Sequence, residues 1–205
     1  MFRKLNALLW LRVQVIISNS TLLATLLMPF GLTVLYNELL NKSGELSMFL
    51  LSTSLTMVLS MGSGYMVSIM IAEDKEKRNL KSLLLSGVTA TEYTLSMLVI
   101  PMLIMLLGMI LLPVYLKVDL SGYLFAYVIY LLLATISIIF INILIGAVSD
   151  TQSKAQVYSI FPMLIVSFLP MIASQNDTVQ KVVDYSFIGP IANLLNKKGG
   201  EISFS

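Results

Sequence analysis

Cysteine and histidine are both absent from this 205-residue chain. The first absence removes disulfides and thiolate metal sites. The second removes the commonest metal ligand and general base. Together they weigh against intramembrane metalloproteases and most hydrolases. Charge is scarce too: 12% of residues are Asp, Glu, Lys or Arg, against about 25% in an average soluble domain. A net charge of +2 is too small to point to nucleic acid. What fills the chain is apolar, 57% of residues with a mean hydropathy of +0.88. The uncharged runs are continuous rather than alternating, which excludes an outer-membrane barrel. They predict an all-α polytopic membrane protein, with residues 1–205 forming a single transmembrane domain.

The runs divide into a lead-in segment and five spans. Residues 1–17 carry Arg3, Lys4 and Arg12 among leucines. They read as an interfacial helix with Trp10 at headgroup level. A signal peptide is the competing reading, but Arg12 interrupts its apolar core and no small-residue cleavage site follows. The spans are expected over about 20–36, 47–72, 94–116, 120–148 and 157–173. Proline and glycine should bend several of them: Pro29 and Gly31 in the first, Pro101, Gly108 and Pro113 in the third, Pro162 and Pro170 in the fifth. Met97, Met102, Met105 and Met109 are read as adaptable filler, or as the lining of an apolar path.

The second span has no charge, and Ser52, Thr56, Ser60, Gly64, Ser68 and Ala72 recur every fourth residue. Small residues at this spacing let another helix approach closely, and their hydroxyls can bond across the contact. The alternative reading makes the stripe a polar wall of a substrate path. Asn142 stands alone as a strongly polar residue within the fourth span and is expected to bond to a neighbouring helix. Residues 174–205 read as an outer segment and tail, in which 185–195 is apolar but too short to span.

Between the second and third spans lies 73–93, where Glu73, Asp74, Lys75, Glu76, Lys77, Arg78 and Lys81 crowd together. Such an island cannot rest in hydrocarbon, so it is expected in water or against a soluble partner. Its second half places Leu80, Leu83, Leu84 and Val88 at helical spacing. The plainer reading is a solvated turn. With five spans, one side of the membrane holds Arg3, Lys4, Arg12, Lys75, Lys77, Arg78, Lys81 and Lys154. The other holds Lys42, Lys117, Lys181, Lys197 and Lys198. The positive-inside rule therefore puts the N-terminus and 73–93 in the cytoplasm.

The run from Asp74 to Glu92 resembles the cytoplasmic loop of ABC-2 type exporter permeases. That family shows an acidic–basic–acidic–basic–Gly opening, then spaced leucines, then Ser/Thr-Pro-Val and an acidic residue before the third span. Asp74, Lys75, Glu76 and Lys77 match the opening; Leu80, Leu83 and Leu84 match the leucines; Ser86, Val88, Thr89 and Glu92 match the end. Arg78 stands where the family has Gly, and Gly87 where it has Pro. Residues 188–193 resemble the family's outer re-entrant segment, and its sixth span has no counterpart in this chain.

The resemblance implies half of a dimeric export channel, paired with an identical or different second permease subunit. It also implies a multi-pass location in a bacterial plasma membrane. The chain would not be an enzyme. It has no Gly-x-x-x-x-Gly-Lys-Ser/Thr loop, so it could not bind ATP that way, and the resemblance implies no cofactor or metal of its own. ATP and Mg²⁺ would sit on separate ABC ATPase subunits. Residues 73–92 would then couple to that ATPase, through Leu80, Leu83, Leu84, Leu85 and Val88 in a groove and through Glu73, Asp74, Lys75, Glu76, Lys77, Arg78 and Glu92 around its rim. The absence of charge within the spans favours amphipathic or hydrophobic cargo such as a peptide, bacteriocin, lipid or drug. Two other classes remain open at this point. One is an intramembrane enzyme, for which no paired acids or nucleophile–base pair is visible. The other is a non-transporting immunity or assembly protein using the same loop.

Overall fold

The computed structural model describes residues 2–173, 177–186 and 189, and no strand occurs among them. The chain opens with α1 (Phe2–Ser18). Asn19 then caps α2 (Ser20–Leu40), its side chain accepting from the backbone of Thr21 and Leu22. One continuous helix, α3, follows over Ser47–Glu76, with a π-helical centre at Val58–Tyr65. After it come α4 (Asn79–Leu85), α5 (Ala90–Tyr115), α6 (Leu124–Val148), α7 (Gln152–Ala173) and α8 (Asp177–Asp184).

Four helices are long and apolar enough to cross a membrane: α2, α3, α5 and α6. The fifth expected span falls on α7, which is 22 residues long but is not one of those four. Its first half carries Gln152, Ser153, Lys154, Gln156 and Ser159. The outer segment expected over 185–195 lies outside the described residues except for Tyr185, Ser186 and Gly189. Just before it, the polar stretch expected from 174 forms α8, which packs on α7.

α3 is the central post. The membrane-length part of α3 is 94% buried, against 22–44% for the other three. It packs against α2, α5, α6 and α7. Small side chains make this possible, because a helix surrounded on all sides must admit several backbones closely. Ser60 and Ser68 meet Ser167 and Ser159 of α7 through 2.6 Å hydroxyl–hydroxyl bonds. A Cβ placed on Gly64 would lie 2.7 Å from Asn142 Nδ2 and 2.8 Å from Ile138 Cγ1 of α6. From the other side, a Cβ on Gly146 would lie 3.0 Å from the Ser68 carbonyl. Thr56 bonds back to the carbonyls of Ser52 and Thr53, and Ser52 and Ala72 are buried.

Two local expectations change, and the proline-bearing third span keeps the extent expected of it. Asn142 does not bond across to a neighbouring helix. Its Nδ2 donates to Ile138 O one turn back and sits against Gly64 of α3, which carries no side chain to bond it, and its Oδ1 has no partner. α5 runs through Pro101 and Pro113 without ending, and Ser63 of α3 donates to Pro101 O at 3.1 Å. Most important for function, α3 does not stop at Ala72. It carries Glu73–Glu76 as its own last turn.

Candidate functional site

The charged stretch is built from two left-handed residues and two helix caps. Lys77 closes α3, its N–H donating to Glu73 O. Arg78 then takes φ +57° and ψ +16°, a conformation that turns the chain into α4 but that a residue with a Cβ adopts at a cost. α4 ends in the arrangement that a left-handed C-terminal residue makes possible. Gly87, at φ +81°, donates to Leu84 O, and Val88 donates to Leu83 O. A proline at 87 could adopt neither that φ nor that hydrogen bond. Thr89 next starts α5 with a reciprocal cap: Glu92 N donates to Thr89 Oγ1 at 3.3 Å and Thr89 N to Glu92 Oε2 at 3.0 Å. Glu92 is thus a buried helix-start residue.

The expectation that the whole run lies in water or against a soluble partner is overturned for its first two acids. Glu73 and Asp74 are 4% and 2% exposed, because α3 holds its last turn between α1, α2 and α5. A carboxylate there must be paired or it shifts to the neutral form. Glu73 accepts from Asn19 Nδ2 at 3.0 Å and pairs with Lys77 at 2.5 Å. Asp74 accepts from Arg12 Nη1 at 2.6 Å and from Tyr93 Oη at 2.9 Å, both on the same oxygen. Lys75 reaches the other way and donates to Ala147 O and Ser149 O, each at 2.7 Å. This sets a cation on the carbonyls at the end of α6. Glu76 accepts from Gln152 N at 2.8 Å, an anion at the start of α7. Four consecutive side chains therefore touch α1, α2, α5, α6 and α7.

Lys77, Arg78 and Lys81 are exposed. The hydrogen bond and charge of Glu73 hold the Lys77 ammonium above the ordinary lysine value, so Lys77 stays charged at neutral pH. Along α4 the leucines separate. Leu83 and Val88 turn inward, lining a cleft with Lys4, Ala7, Leu8 and Leu11 of α1, and Leu80 is half-buried. Leu84 and Leu85 face out, 50% and 80% exposed.

A family model described as "ABC-2 family transporter protein" matches residues 6–193, from α1 past α8. The chain belongs to the ABC-2 transporter family. Neither curated proteins nor solved structures give a match. The protein is therefore a multi-pass membrane component of an ABC-2 transporter, a permease rather than a catalytic chain.

Four residues of this permease's charged cluster escaped the sequence reading: Arg12, Asn19, Tyr93 and Gln152. Arg12 alone left a signal. It is the only charge of α1 beyond the basic pair Arg3–Lys4 at its start, and it continues the spacing Lys4, Leu8, Arg12, Ile16. Asn19, Tyr93 and Gln152 become partners only once α3 is known to run to Glu76.

Proposed function

We propose that this permease forms half of the translocation path of an ATP-driven exporter and that α4 is the contact through which a separate ABC ATPase drives it. The observation that carries this reading is the pair Leu84 and Leu85. Two neighbouring leucines stand exposed on a helix that sits outside the long apolar helices, just beyond the charged end of α3. Apolar side chains exposed on such a polar connection fit a partner's groove better than they fit water. Arg78 and Lys81, exposed beside them, supply charge for the rim. In this reading the loop faces the cytoplasm of a bacterial cell, α7 is the fifth span, and a second permease subunit completes the path. ATP and Mg²⁺ sit on the partner. Within the four long helices the charges lie only near helix ends, Glu38 in α2, Glu73–Glu76 in α3 and Glu92 in α5, which supports amphipathic or hydrophobic cargo over small ions.

Burying two such leucines contributes about 2–4 kcal/mol. Replacing Leu84 and Leu85 with Asp should therefore weaken ATPase binding by roughly thirty- to several-hundred-fold while the permease still inserts. Co-purification from the native membrane with an ABC ATPase measures this. Unchanged recovery of the ATPase with the double variant would overturn the docking role.

A further inference from the structure

α1 carries Lys4, Leu8, Arg12 and Ile16 on one stripe, spaced so that each lies one turn beyond the last. The stripe meets the charged loop at both ends. Lys4 Nζ donates to Gly87 O at 2.8 Å, beyond the end of α4. Arg12 bonds Asp74 at the end of α3, and its guanidinium lies 5.2 Å from the ring centre of Tyr93 at the start of α5. Between these two points the apolar contact is loose: the cleft between Leu8, Leu11, Leu83 and Val88 leaves ≈ 230 Å³ open. Apolar packing there does not by itself set where α1 sits along the loop.

Arg12 is also an expensive residue. It is 0% exposed, and its Nε and Nη2 have no hydrogen-bond partner. A buried ion pair of this kind is often no more stable than an apolar pair of the same volume, so stability alone does not account for it. What it does supply is direction. Asp74 Oδ2 accepts from α1 and α5 at once while belonging to α3, so three helices meet at a single oxygen.

We propose that Arg12 and Asp74 are positioning residues that lock α1 to the loop, so that a load applied at α4 moves α1 together with the ends of α3 and α5. The proposal rests on the reading above only for the origin of the load; the lock itself is a property of this chain. Its consequence is that the interfacial helix belongs to the moving part instead of being a passive float on the membrane.

The absence of cysteine makes the test direct. Spin labels at Asn6→Cys on α1 and Ser82→Cys on α4, both exposed, report the distance between the two helices in the full chain in lipid nanodiscs. The unaltered pair should give one narrow distance. Arg12→Gln with Asp74→Asn removes both charges without leaving either one buried and alone. It should insert and melt like the parent yet lose the single distance and give a broad distribution. Arg12→Lys, which can still reach Asp74 with a charge, should restore the narrow one. A narrow, unshifted distance in the doubly neutral variant would overturn the lock. If the doubly neutral variant fails to insert, Arg12→Lys alone decides: a broad distribution there overturns the lock, and a narrow one supports it. In the presence of the co-purified ATPase, the doubly neutral variant should keep the bound ATPase but lose stimulation of its ATP hydrolysis. Failure of the parent to bind any ATPase would instead sink the coupling reading and leave the distance result standing.

Discussion

At the scale of single residues, the two positions where this loop departs from the family pattern are both left-handed. Arg78 stands at φ +57° where the family has Gly, and Gly87 at φ +81° where the family has Pro. Each departure has a different sign. Arg78 strains a site that glycine fits, so Arg78→Gly should raise stability by about 0.5–1 kcal/mol, the relief being partly offset by glycine's freedom in the unfolded chain. Gly87→Pro should do the opposite and lower stability by ~1 kcal/mol or more, since the native φ and the bond to Leu84 O are both lost. Melting temperatures of the purified variants in one detergent measure both. Equal melting temperatures for Arg78→Gly and the parent would show that the Arg78 side chain makes up the difference through contacts of its own. The positions of these departures were visible in the sequence. Their backbone consequence was not, because φ at a turn depends on how many residues the flanking helices claim.

Among elements, α3 decides most of the fold. Its every-fourth stripe of small residues was legible as a close-packing pattern, and the structure places neighbours against it at Ser60, Gly64 and Ser68. Its length was not legible. Charged residues after Ala72 read as the end of a span, since hydrocarbon rejects charge. They continue the helix because Arg12, Asn19 and Tyr93, distant in sequence, wait to pair with them. The π-helical centre left no pattern to find. Gly64→Val tests the packing at its tightest point. Added atoms would press on the buried side chains of Ile138 and Asn142, already within 2.8 Å of a Cβ placed there, so about 1–3 kcal/mol of stability should be lost. Gly31→Ala on α2, where an added Cβ meets nothing within 4 Å, serves as the control and should be neutral or slightly stabilising. A Gly64→Val chain that melts with the parent would show that α6 can yield, contrary to the contact as described. Removing one partner of the buried pair is a harsher change: Asp74→Ala leaves Arg12 buried and uncompensated, and should cost about 3–5 kcal/mol, read as loss of folded protein at extraction.

For the whole molecule, fold class and family were legible because long apolar runs and a motif-bearing loop leave few alternatives. The division of labour within the loop was not. The charge run reads as one solvated feature, yet Glu73, Asp74, Lys75 and Glu76 serve the chain's own helices, and the outward surface is left to Leu84, Leu85 and the basic residues near them. A permease built this way ties the last turn of α3, from which α4 departs, to its neighbouring helices in several directions at once. The central claim is that Leu85 meets an ATPase. The most direct measurement places a photo-crosslinking amino acid at Leu85, with Phe140 on the exposed face of α6 as the comparison site, in cells that also express an ABC ATPase that co-purifies with the permease. The account expects an adduct of permease plus ATPase from position 85 and none from position 140. Adducts with lipid alone from position 85, or equal ATPase capture from both positions, would contradict it.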